Sequence, residues 1–132
     1  MTAGNFKYHH IGIPIKESIH GEVYLPEYKL FHCDYKDSEF GIEWMRYEDD
    51  CQLPEIVKNL PHIAFEVEDI FEVIKDRKVI IQPNSPSKGV IVAFIEENGA
   101  PIELIQNNKI YPSDSIKSSN ACRIVCLSRC GY

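Results

Sequence analysis

The sequence predicts an α+β fold made of two βαβββ modules, the first with its helix reduced or lost. Three observations carry this. The second half reads as one strand, a short helix and three further strands. The first half holds matching strand segments at shorter spacing. Each half opens on a histidine-bearing strand and closes on a glutamate-bearing one, so the chain contains an internal repeat.

In the second half, Leu60 to Val67 (LPHIAFEV) is rich in branched and aromatic residues and reads as a strand. Asp69 follows as a helix N-cap, with Glu72 three residues on in a capping-box arrangement. Ile70, Phe71, Val73 and Ile74 supply an apolar face at helical spacing. Lys78 to Gln82 is the second strand, ended by the breaker-rich stretch Pro83 to Lys88, which is expected to form a turn at the rim of a cavity. Gly89 to Glu97 is the third strand. Asn98-Gly99 marks a hairpin, because both residues tolerate positive φ, and Ala100 to Gln106 is the fourth strand.

In the first half, Tyr8 to Ile15 (YHHIGIPI), Tyr28 to Tyr35 (YKLFHCDY) and Phe40 to Tyr47 (FGIEWMRY) correspond to the first, third and fourth strands. Lys16 to Pro26 is too short for a strand and a full helix. Asp49 to Asn59 links the modules, with a short helical stretch around Glu55 to Lys58. The expected domain covers residues 1–107, with module one about 7–50 and module two about 59–107. The 108–132 tail is rich in Ser, Asn and Lys and reads as an appendage.

The chain has 132 residues, 44% of them hydrophobic and 26% charged, enough apolar material for a core. A net charge of -6 argues against nucleic acid as a partner. No apolar run approaches the roughly 20 residues of a membrane span. Met1 to Lys7 carries no apolar signal segment, so the expected location is the cytoplasm. The five cysteines are an odd number, and they read as free thiols. Cys122, Cys126 and Cys130 do not have a standard metal spacing.

Strand alternation puts His10, Gly12 and Pro14 on one face, and Ile11, Ile13 and Ile15 on the other. His62 and Ala64 likewise oppose Ile63, Phe65 and Val67. The branched face is expected to be core, and the small neighbours of the histidines to leave room for a ligand. Glu43, Met45 and Tyr47 share a face in one closing strand, Glu103 and Ile105 in the other. A mid-strand glutamate among apolar residues is costly to bury without a partner. Two such glutamates and two matching histidines point to a shared divalent cation. His10, Glu43, His62 and Glu103 are the candidate ligands, and Zn, Ni, Mn or Fe(II) suits imidazole and carboxylate.

The paired HIGI/HIAF and IEWM/IELI segments, the Asn98-Gly99 hairpin and the 69–76 helix resemble the vicinal oxygen chelate (glyoxalase, bleomycin resistance, dioxygenase) superfamily. The resemblance covers about Tyr8 to Gln106. It implies a glyoxalase-like half-barrel with the site on its concave face. It also implies metal ligands on the first and last strands of each module, at His10 (with His9 as the alternative), Glu43, His62 and Glu103. The activity implied is that of a lyase or isomerase on a small-molecule substrate. Its metal would stabilise an enolate-like intermediate, and Glu43 or Glu103 would be the proton-transfer base. The alternative is a metal-free small-molecule binding protein of the bleomycin-resistance kind, whose acidic surface suits a cationic ligand. Exposed strand edges permit a homodimer.

Plainer readings stand beside these. His10 and His62 could be core histidines bonded to backbone, and Glu43 a solvated edge-strand carboxylate. His32 is either a further polar group of the cavity or, as the plainer reading, an ordinary strand residue. Trp44 and Tyr47 either line the pocket or, as is commoner for aromatic strand residues, serve as packing.

Overall fold

Short alternating segments separated by turn residues give one eight-stranded sheet and two short helices among the described residues. The computed structural model describes residues 5–108. The elements in order are β1 (Lys7–Pro14), β2 (Val23–Leu25), β3 (Leu30–Cys33), β4 (Ile42–Tyr47), α1 (Glu55–Asn59), β5 (His62–Glu66), α2 (Ile70–Val73), β6 (Lys78–Ser87), β7 (Val90–Glu97) and β8 (Ala100–Asn107). A 3-10 turn at Tyr35–Asp37 joins β3 to β4.

The sheet order is β2-β3-β4-β1-β5-β8-β7-β6. The order is symmetric, because β2-β3-β4-β1 on one side answers β6-β7-β8-β5 on the other. The register repeats as well. Gly12 faces Glu43 where β1 runs parallel to β4, and Ala64 faces Glu103 where β5 runs parallel to β8. At the centre, β1 and β5 are antiparallel, with Ile11 opposite Ile63 and Gly12 opposite His62. The repeat seen in the sequence is therefore a repeat of strand pairing, related by an approximate two-fold through the Ile11/Ile63 pair.

Module two has the expected strand, helix and three strands. In module one no helix lies between β1 and β2. The expected single strand from Tyr28 to Tyr35 is shorter. Tyr28 and Lys29 turn the chain between β2 and β3, with Lys29 at φ 59°, and Tyr35 belongs to the 3-10 turn. The expected turn at Pro83 to Lys88 is also corrected. The β6 strand continues to Ser87 through irregular register, with Asn84 opposite Val92, and the chain reverses around Gly89. The bulges absorb the prolines that would break a regular ladder. Asn98 and Gly99 take positive φ, as the β7–β8 hairpin requires.

Burial bears out the branched face at Val67, which packs against α2, and reverses the expectation in the middle of β1 and β5. The histidine face is the enclosed one: His10, His62 and Ala64 are buried, while Ile63 is 42% exposed and Ile11 and Ile13 are only partly covered. The reason is what lies over each face. On the histidine side, Leu25 and Leu30 of module one share a buried cluster with Ile81 and Phe94 of module two. Cys51, Leu53 and Val57 of the linker segment belong to the same cluster. On the opposite side, α2 packs Ile70 and Val73 against Ala93, Ile95 and Leu104 of module two. Module one has no counterpart helix. There the Arg46 guanidinium lies 4.0 Å over the Phe31 ring and bonds Glu22 twice, at 2.8 and 2.7 Å.

The α2 helix is one turn. Asp69 caps it, accepting from the Phe71 and Glu72 amides, and Gln106 of β8 accepts from the Ile70 amide at 2.8 Å. The reciprocal half of the expected capping box is not made, because Glu72 pairs with Lys75 at 3.2 Å. Phe71, expected on the apolar face, is exposed. No helix among the described residues is long and apolar enough to cross a membrane. Cys33 and Cys51 are free thiols. Cys122, Cys126 and Cys130 lie outside the described residues.

Candidate metal centre

The two-fold pairing brings the four predicted residues together on the enclosed face. His10 comes from β1, Glu43 from β4, His62 from β5 and Glu103 from β8, and each is at most 1% exposed. His10 Nε2 lies 3.5 Å from Glu103 Oε1 and 3.6 Å from Glu43 Oε1. His62 Nε2 lies 3.2 Å from Glu103 Oε1. Glu43 is therefore no solvated edge carboxylate, and neither histidine nitrogen at the centre goes to backbone.

These contacts are close without being well-made hydrogen bonds. His10 Nε2, both His62 nitrogens, Glu43 Oε1 and both Glu103 oxygens are buried with no aligned hydrogen-bond partner among the described residues. An unpaired buried polar atom costs about 1–3 kcal/mol, and more when charged. Five of them, all but His62 Nδ1, which points away from its own Nε2, meet in one place and call for a common partner. His10, His62 and Glu103 each offer one ligand atom, and these atoms all lie within 4.8 Å of one another. Two ligands about 2.1 Å from one tetrahedral ion stand roughly 3.4 Å apart, so the 3.2 and 3.5 Å separations suit a single cation. Two imidazoles and a carboxylate are a borderline donor set that fits Zn, Ni, Mn or Fe(II). Glu43 stands beside this group of three, nearest to His10.

Charge within the cluster shifts the groups. Burial would raise the Glu103 carboxyl, but the facing His10 and His62 imidazoles overcome it and hold it down at about 2. Burial works against the His10 imidazolium, and the adjoining Glu103 outweighs it, so the His10 pKa is raised. His9 is pushed down, first by burial and then by the charge of His10.

Two further histidines join the site. His32, for which the sequence offers a polar group of the cavity beside the plainer reading of an ordinary strand residue, is buried on β3, and its Nδ1 lies 2.9 Å from Glu43 Oε2. Alternation groups His32 with Leu30, but that they share the face of Met45 and Glu43 follows from the β3–β4 register, with His32 opposite Met45, which one strand read alone does not contain. His9 reaches the site through a register shift between Tyr8 and His10, a bulge with no marker in the sequence. Its Nδ1 is 2.8 Å from His10 Nδ1. Tyr35 stacks on the His10 ring at 4.8 Å and 6°. Trp44 pairs opposite Ile13 on the other face, and the Tyr47 hydroxyl donates to Met45 Sδ at 3.2 Å on the enclosed face.

No family model matches the chain, and no curated protein matches it. Among solved structures it is similar to hypothetical protein BH1468 from Bacillus halodurans C-125, with a TM-score of 0.53 and 19% identity. The match covers 80% of this chain and 97% of that one. At this identity the likeness is one of fold.

Proposed function

We propose that this chain is a metalloenzyme of the vicinal oxygen chelate type. In this reading the symmetric sheet is a glyoxalase-like half-barrel, and His10, His62 and Glu103 on its inner face hold one divalent cation. The enzyme acts as a lyase or isomerase on a small oxygenated substrate. The observation that carries the reading is the convergence of buried, unpaired nitrogen and oxygen atoms from β1, β5 and β8.

A divalent cation held there supplies Lewis acidity toward charge developing on a substrate oxygen. The two glutamates then divide the work. Glu103, held at about 2, stays ionised and is a weak base, which suits a ligand. Glu43 lies outside the group of three. His32 holds its Oε2 and leaves Oε1 facing the centre, so Glu43 is the group that takes up and returns a proton at a substrate carbon.

Elemental analysis of protein purified without a histidine tag tests the reading. About one divalent ion per chain is expected, lost in His62→Ala and retained in Glu43→Gln. Glu43→Gln should also abolish exchange of the carbon-bound proton of an α-hydroxycarbonyl compound with deuterated water. A wild-type protein that takes up no Zn, Ni, Mn or Fe(II) would sink the metal centre and leave the metal-free binding protein as the better reading.

A further inference from the structure

We infer that His9 is a positioning residue for the metal centre, acting through His10; the inference rests on the metal-binding reading above. The His10 ring is held on three sides. Nε2 faces Glu43 and Glu103, Tyr35 stacks on its plane, and Nδ1 meets His9 Nδ1 at 2.8 Å. A hydrogen bond between two imidazole nitrogens needs one N–H and one lone pair. When His10 presents the Nε2 lone pair to a cation, its proton sits on Nδ1 and is donated to His9 Nδ1. His9 then carries its own proton on Nε2. The contact thereby fixes both the tautomer of His10 and the aim of its ring, the role that outer partners play for ligating histidines.

The second module shows what this support adds. The repeat aligns His62 with His10 and Pro61 with His9, and a proline side chain offers no hydrogen-bond donor or acceptor. His62 Nδ1 is buried with no partner among the described residues. The register shift that admits His9 lies between Tyr8 and His10, on the β1 side of the central pair. The centre is thus supported from one side, with His10 as its oriented ligand.

Cobalt(II) is the probe, titrated into the full-length chain and followed by its visible absorption bands, which report ligand geometry. Wild type, His9→Leu and His9→Asn are compared, with circular dichroism confirming that each folds. Asn places Oδ1 near the Nδ1 position and can accept the His10 proton. His9→Leu should weaken cobalt binding about 10- to 100-fold and shift the bands, and His9→Asn should recover most of both. Unchanged affinity and bands in His9→Leu would overturn the inference. An Asn variant as weak as the Leu variant would also overturn it, leaving packing as the role of His9. As a second readout independent of the variants, the Zn-loaded wild type should show a slowly exchanging His10 Nδ1–H in proton NMR, and a fast-exchanging one contradicts the assignment. If the wild type binds no cobalt or zinc, the metal centre itself fails, an outcome read before any variant is compared.

Discussion

A Cβ on Gly12 would clash with His62 Cε1 and would meet His62 Nε2 and Met45 Cε at 2.7 Å each. The sequence marks Gly12 as a small neighbour that leaves room for a ligand. The structure gives that room to the His62 ring from the facing strand. Gly12→Ala must therefore displace His62 or Met45, which are both buried and have little freedom to give. The expected cost is about 1–3 kcal/mol, read as a lower urea midpoint, together with weakened metal binding. A variant as stable and as metal-competent as wild type would show that the His62 ring relaxes freely.

At the scale of the element, the two modules differ by one short helix. The single turn of α2 has too few internal hydrogen bonds to stand alone. It is held by the Asp69 side chain at its N-terminus, by Gln106 from β8 and by burial of Ile70 and Val73. Asp69→Ala should destabilise the protein by about 1 kcal/mol in chemical denaturation. It should leave metal affinity unchanged, because α2 covers the face opposite the histidines. A change in metal binding would mean that the two faces are coupled through β8. Asp69 was legible as a cap from the sequence. That Glu72 turns to Lys75, and that Gln106 supplies the second cap, depend on where neighbouring side chains lie in space.

For the whole molecule, the buried cluster ties the two modules together, because His10 and Glu43 come from one and His62 and Glu103 from the other. Glu103 is held at about 2, below its unfolded value, so its contribution to metal-free stability is full above about pH 4.3 and is lost as pH falls toward that folded value. His10 is raised above its ordinary 6.5, so its contribution is full below that and is lost as pH rises through the folded value. Urea midpoints in a chelator should therefore fall on the acid side below about pH 4.3, and Glu103→Gln should flatten that limb. Metal binding has the opposite sign at the other end. It requires unprotonated His10, so affinity should tighten as pH rises through the raised His10 value, by up to about tenfold per unit. Metal at 100 times its dissociation constant should add about 2.7 kcal/mol of stability, reversed by chelator. Midpoints that ignore both pH and metal would separate the cluster from the stability of the fold.

The sequence by itself determined the repeat, the strand alternation, the Asn98-Gly99 hairpin and the four residues His10, Glu43, His62 and Glu103. These features are local or recur along the chain, so reading one strand at a time is enough to find them. Only the tertiary structure decided which face of each strand is buried. Ile11 and Ile63 are as apolar as any core residue, but the layer that would cover them is missing from module one, and burial depends on what lies opposite. The same holds for His32 and His9. Their roles arise from strand pairing and from a bulge beside His10, contacts between segments whose one-dimensional patterns carry no record of each other.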